Sequence, residues 1–242
     1  MNFILCPVDF SDVADNAARY ALSLARETNS KLLYTYVVPI SVTEPIEDYH
    51  PLHDRDIPPE QAYPLVRKDL EVKLEEYAAA MKEVANHGVE VFYALKEGEM
   101  LDAIEELNKE EKIDLIVMGT QGASGVKGKV VGTNTAKVMT DTDIPVLAVP
   151  PEARYRDIKS ILYAEDLRDE ELHSITPLEN LAREFDAELK VVHVYDKDER
   201  NTGAKMDNFR EKFNSVSRYS KVSFYDVSND DVEEALEKAA RD

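Results

Sequence analysis

IDLIVMGTQGASGVKGKVVGTNTAKV, residues 113–138, sets an apolar run against a segment holding five of the chain's 8 glycines: Gly119, Gly122, Gly125, Gly128 and Gly132. The apolar run is short and unbroken, as a parallel strand covered on both faces should be. Residues 133–141 read as a short helix, so the glycines fill a turn between a strand and a helix. Glycine admits positive φ and lets other groups come close to main-chain N–H groups. The first turn of a helix adds unpaired N–H donors and partial positive charge. Thr133 and Asn134 stand where a hydroxyl and an amide can cap that helix or bond an oxyanion, and Lys127 and Lys129 add local positive charge. The segment reads as a phosphate-binding loop, against the plainer alternative of a flexible surface loop.

Working outward, the same alternation continues. FILCPV (3–8) and KLLYTYVV (31–38) are strand-like and flank SDVADNAARYALSLARET (11–28), whose Val13, Ala17, Ala21, Leu24 and Ala25 fall at helical spacing, with Ser11 or Asp12 as N-cap. Residues 39–64 carry six prolines and no sustained period, which predicts a long loop, mobile without ligand. LVRKDLEVKLEEYAAAMKEVANHG (65–88) is an amphipathic helix with Gly88 as C-cap. VEVFYAL (89–95) is a strand, residues 99–112 a helix whose acidic face is solvated, and IPVLAVP (144–150) a last strand. Strands alternating with helices predict an open parallel sheet with helices on both faces, and ligands bind such sheets at the carboxyl ends of the strands.

A second signal is repetition. ILCPVDFSD at Ile4 recurs as ILYAEDLRD at Ile161, LARE at Leu24 as LARE at Leu181, and KLLYTYV at Lys31 as ELKVVHV at Glu188, all at an offset of 157 without gaps. The chain reads as two copies of one βα unit, 1–150 and 158–242, joined near 151–157. The second copy carries KVSFYDV and a final acidic helix, but nothing matching DLIVMGTQG or IPVLAVP. Its first strand is therefore expected to be an open edge.

The chain has 242 residues, 43% hydrophobic and 32% charged, a globular composition with no apolar run of membrane-spanning length. A formal net charge of -20 disfavours nucleic acid and anionic membranes as partners. One cysteine excludes an internal disulfide and fits a cytoplasmic location, and MNFILCPVDF lacks the basic segment of a signal peptide. His50, His53 and Asp54 in HPLHD read as a solvated loop rather than a metal site. His87 reads as a helix C-terminal residue, His193 as packed, and Cys6 as a buried apolar filler.

The glycine pattern, G-x-x-G, nine residues, then G-[ST], is neither a dinucleotide fingerprint nor a P-loop. It resembles the ATP-binding motif of universal stress proteins at Gly119, Gly122, Gly132, Thr133 and Asn134. Asp9 in PVDFSD matches that family's adenosine-contacting aspartate, and YVVP places Val37 by the adenine. The resemblance covers 1–150 and extends weakly over 158–242. It implies a five-stranded sheet of order 3-2-1-4-5, with ATP, with or without Mg2+, across the carboxyl ends of strands 1 and 4. Gly119, Gly122, Gly132, Thr133 and Asn134 would hold phosphates, Asp9 and Val37 the nucleoside, and Pro7, Val8 and Met118 would line the base pocket. Gln121 stands where the family often has histidine or arginine. Asp166 and Val194 match Asp9 and Val37, but with no glycine-rich loop after them the second copy is expected to bind no nucleotide. Family members pair through their last strands, which implies a homo-oligomer, a dimer, or an unknown protein partner. No general base or Walker-B-like acid is evident, so the expected function is a regulatory ATP-binding module of the stress response rather than an enzyme. A slow ATP hydrolase or phosphotransferase and a nucleotide-free interaction scaffold are the alternatives.

Overall fold

The computed structural model describes residues 1–39, 59–86, 88–120, 132–167, 172, 175–196 and 202–241, with side chains throughout these except 59–62 and 202. They form two compact units, Met1–Tyr155 and Arg156–Asp242.

The first unit holds strands β1 (Phe3–Pro7), β2 (Lys31–Val38), β3 (Val91–Glu97), β4 (Leu115–Gly119) and β5 (Val146–Val149). Its helices are α1 (Asp12–Glu27), α2 (Pro59–Val84), α3 (Met100–Glu111) and α4 (Thr133–Asp141). All strands are parallel in the order β3-β2-β1-β4-β5, the order that the resemblance implied. Period-two alternation divides the core between two faces. Phe3, Leu5, Leu33, Ile116 and Met118 meet Ile104 and Leu107 of α3 and Val138 of α4 on one face. On the other, Tyr34 donates its hydroxyl to the Ala18 carbonyl of α1 (3.1 Å), and Val38 packs with Val66 and Leu70 of α2. Helix α1 begins where Ser11 Oγ accepts the Ala14 N–H, and its buried face is built largely of alanines, which let it lie close to β1 and β4.

Several expectations are corrected. Helix α2 starts at Pro59, so residues 59–64 are helical rather than loop. A proline at the first helical position gives up an N–H that has no partner there, while Pro64 inside the helix removes one ladder bond that the rest of α2 outweighs. The left-handed residue after α2 is Asn86 (φ 50), not Gly88, because asparagine tolerates that conformation. Strand β3 runs two residues past the expected 89–95, since Lys96 and Glu97 pair in register with Val37 and Val38. The Lys96 ammonium is held by Glu106 (2.8 Å) and Glu110 (3.2 Å) of α3.

The second unit has strands β6 (Ser160–Ala164), β7 (Glu188–Tyr195) and β8 (Val222–Ser228) with helices α5 (Ile175–Glu184), α6 (Thr202–Val216) and α7 (Val232–Arg241). Its sheet is parallel, ordered β6-β7-β8, so β6 is an edge. The offset of 157 recurs in the backbone: β1 becomes β6 and β2 becomes β7 residue for residue, and Phe3 opposite Lys31 becomes Ser160 opposite Glu188. Left-handed Phe10 (φ 62) and Asn29 (φ 51) recur as Leu167 (φ 55) and Asp186 (φ 52). Between the second and third strands the offset falls to 131, Val91 becoming Val222. Helix α6, absent from the sequence expectations, has 15 residues against 26 in α2 and buries Met206, Phe209 and Phe213. No described helix is long and apolar enough to cross a membrane.

Candidate functional site

Strands β1 and β4 lie side by side at the centre of the first sheet, where the strand order reverses, and their carboxyl ends open the crevice in which such sheets receive ligands. Strand β1 delivers buried Pro7 and Val8 and then exposed Asp9. Asp9 Oδ1 accepts both the Ser11 N–H (3.0 Å) and the Ser11 hydroxyl (2.5 Å), so it orders the turn into α1 while Ser11 itself is the N-cap. Between them Phe10 adopts a left-handed backbone, a conformation rare for a bulky residue and one that its surroundings must hold. Its ring stacks on Tyr36 (5.2 Å between centroids), meets Tyr77 edge-on (5.8 Å), and lies under Lys73 Nζ (4.2 Å). Val37, half-buried at the end of β2, points to the opposite face from Tyr36.

Met118 is buried in the core beneath α3 and α4. Gly119 follows, and its bareness has a local cause: a Cβ there would lie 2.7 Å from Val13 Cγ1 and 3.1 Å from the Val13 carbonyl oxygen. The missing side chain lets α1 seat on β4. Three bonds tie together the described residues on either side of 121–131. Thr120 N–H donates to Val149 C=O (3.0 Å), Gly132 N–H donates to Thr120 C=O (2.6 Å), and buried Thr135 donates its hydroxyl to Gly119 C=O (2.8 Å). Helix α4 is thereby pinned to the carboxyl end of β4. Gly132 is its N-cap and offers no capping side chain. The first intrahelical bond runs from Ala136 N–H to Gly132 C=O (2.9 Å), which places the N–H groups of Thr133, Asn134 and Thr135 ahead of the helical ladder. The side chains of Thr133 and Asn134 are exposed.

The fold thus draws Pro7, Val8, Asp9, Val37, Met118, Gly119, Gly132, Thr133 and Asn134 to one edge of one sheet. Gln121, Gly122, Lys127 and Lys129 lie outside the described residues, as do His50, His53, Asp54 and His87. Two residues at this edge were missed from the sequence. Thr135 sits in the G-T-N-T run and could have been found as a hydroxyl one turn into α4; Phe10 carries no sequence signal for a left-handed backbone. Cys6 is fully buried beneath the site, and burial pushes its thiol far above the ordinary range. His193 is packed, as expected, at 2% exposure. Among the described residues no group of three or more His, Cys, Asp or Glu side chains could hold a metal ion.

Residues 1–150 match the pattern of the universal stress protein family. The chain belongs to this family. A universal stress protein of Methanocaldococcus jannaschii is 31% identical over 147 residues, 60% of this chain and 80% of that protein. One from Thermus aquaticus is 32% identical over 148 residues, 60% of this chain and 96% of that protein. The crystal structure of a universal stress protein from Archaeoglobus fulgidus covers 99% of this chain, which covers 81% of it, with a TM-score of 0.66 at 17% identity, a likeness of fold. The sheet edge described above is thus the carboxyl edge of a universal stress protein fold.

Proposed function

We propose that this universal stress protein binds ATP at the carboxyl ends of β1 and β4 and acts as a regulatory module. The observation that carries this reading is the start of α4. Its N-cap has no side chain, its leading N–H groups precede the ladder, and it is fastened to the end of β4 by the Gly132–Thr120 and Thr135–Gly119 hydrogen bonds. Such a helix start is a ready anion site. The residues present suit the ligand. Gly119, Gly122, Gly132, Thr133 and Asn134 would take phosphate oxygens, with Gln121 between the first two glycines. Asp9, exposed at the end of β1, would take the ribose, with Val37 beside the base and Pro7, Val8 and Met118 beneath it. Mg2+, where bound with the nucleotide, would supply neutralisation of phosphate charge. The side chains described at this edge supply binding and orientation.

On the shared offset of 157, we read the second unit as a degenerate copy of the first without a glycine-rich segment, and assign it a structural or regulatory part. Pairing with a second copy or another protein, and a cytoplasmic location, belong to the same proposal.

Equilibrium dialysis with ATP tests the site. Saturable binding of one ATP per chain is expected for the full-length protein, with at least about a tenfold loss in Asn134→Asp, which sets a carboxylate at the helix start. Absence of binding by the parent protein, or equal binding by the two, would sink the proposal.

A further inference from the structure

The two units share a register but not a chemistry at the carboxyl edge. In the first, the positions on the α1/α2 face are Cys6, Val8, Tyr36, Val38 and Leu95; at the same registers the second carries Tyr163, Glu165, His193, Tyr195 and Asp226. In the first unit Val66 and Leu70 of α2 pack over this edge, whereas α6 is 11 residues shorter than α2. Every one of these registers gains an ionisable group in the second unit except that of Cys6 and Tyr36, where one ionisable side chain replaces another.

At the centre is His193. Its Nδ1 lies 2.8 Å from the Glu165 carbonyl oxygen, which can only accept, so in the neutral ring the proton sits on Nδ1 and Nε2 bears the lone pair. Nε2 is buried and has no hydrogen-bond partner among the described residues, an arrangement that calls for an explanation. Among the described residues the surrounding charges are limited in number. From β6, Glu165 is committed: its carboxylate takes the Tyr163 hydroxyl and the Leu167 N–H (2.9 Å). From β7, the Tyr195 ring stacks at 6.2 Å. From α6, Arg210 pairs with Asp207 (3.5 Å) and lies over the Phe224 ring (5.2 Å). Helix α5 brings the apolar Ile175, Leu178 and Ala182 to this core. From β8, Asp226 stands directly opposite His193 in the strand register.

We propose that His193 and Asp226 form a proton-operated clasp in the second unit: a proton taken from solvent at Nε2 turns the buried lone pair into a donor that the Asp226 carboxylate accepts across β7 and β8. Nδ1 stays on the Glu165 carbonyl, so the imidazolium ties all three strands together. This inference is independent of nucleotide binding in the first unit. Asp226 is exposed, and partial desolvation holds its carboxyl above its usual range, with His193 acting to lower it. A proton on Nε2 adds a donor that the Asp226 carboxylate accepts, so the second unit should tighten as pH falls and loosen as it rises.

The test is an NMR titration of the full-length chain with labelled histidine, the His193 ring assigned from its own backbone amide. The ring is expected to titrate between about pH 5 and pH 8 in the parent protein, with its midpoint lower by about half a unit or more in Asp226→Asn. A parent ring that stays neutral down to about pH 5 overturns the clasp, and so does a midpoint unchanged in Asp226→Asn. Hydrogen exchange read at the β7 and β8 amides, corrected for its intrinsic pH dependence, gives a second measure. Protection should rise on acidification in the parent and stay flat in the variant; equal behaviour of the two overturns the proposal without reference to the ring signal.

Discussion

A methyl group on Gly119 would lie 2.7 Å from Val13 Cγ1 and 3.1 Å from the Val13 carbonyl oxygen, and a helix backbone cannot yield as a side-chain tip can. Gly119→Ala should therefore cost about 1–3 kcal/mol, the range for overpacking. Calorimetry should show the unfolding midpoint of the first unit falling by about 2–4 °C per kcal/mol. An unchanged midpoint would show that β4 and α1 are not seated together as described. Cys6 gives a chemical check of the same core. Its thiol is fully buried and pushed upward by burial, so no reactive thiolate is available. A disulfide reagent should label it only after denaturant is added, and prompt labelling of the native protein would contradict the packing of β1. At this scale the sequence was read well by residue type and less well by cause. Besides the phosphate contact that the glycine pattern suggests, Gly119 makes room for Val13, which no local pattern reveals. Phe10 is a further instance, since its left-handed backbone is held by Tyr36 and Tyr77, distant in sequence.

Helix α4 has nine residues, too few to stand alone, so its position depends on its anchors. Thr135 is the buried one. Thr135→Val keeps the shape, removes the hydroxyl and leaves the Gly119 carbonyl without that donor, at about 1–3 kcal/mol. If α4 holds the phosphates, nucleotide affinity should fall in the same variant although Thr135 itself need touch no ligand; dialysis and calorimetry run together would separate the two effects. Ser11→Ala should weaken α1 by about 1 kcal/mol through loss of its N-cap, measured as a shift in the denaturation midpoint. Elements with a strong period and ordinary ends were legible: α1, α3, α4, β2 and β4. The start of α2 was hidden by prolines that suggest a loop but also suit a first helical turn. Helix α6 was passed over although Met206, Phe209 and Phe213 keep helical spacing, because lysines, asparagines and acidic residues dilute the apolar signal between them. The ends of β3 depended on pairing with β2, which is fixed in space and not by the composition of KE.

Over the whole molecule the formal net charge is -20, and a polyanionic ligand approaches against it. If ATP binds, its association rate should rise as salt is added toward about 0.15 M, where the Debye length is ~8 Å, because the long-range field is screened more than short contacts at the site. Stopped-flow mixing with a fluorescent ATP analogue would measure it, and a rate that falls with salt would indicate a positive local field dominating at the loop. The offset of 157 is legible in the sequence, and strand pairing and left-handed residues recur at the same offset; the drop to 131 after β7 is not, since it reflects a shorter crossover whose ends show only once strands are paired. The clasp between Thr120 C=O and Gly132 N–H, 2.6 Å apart, has an engineering consequence. Because the joint is made by main-chain atoms alone, replacing the side chain of Thr120 leaves it in place, whereas Gly132→Pro, which removes the N–H, would unfasten the start of α4.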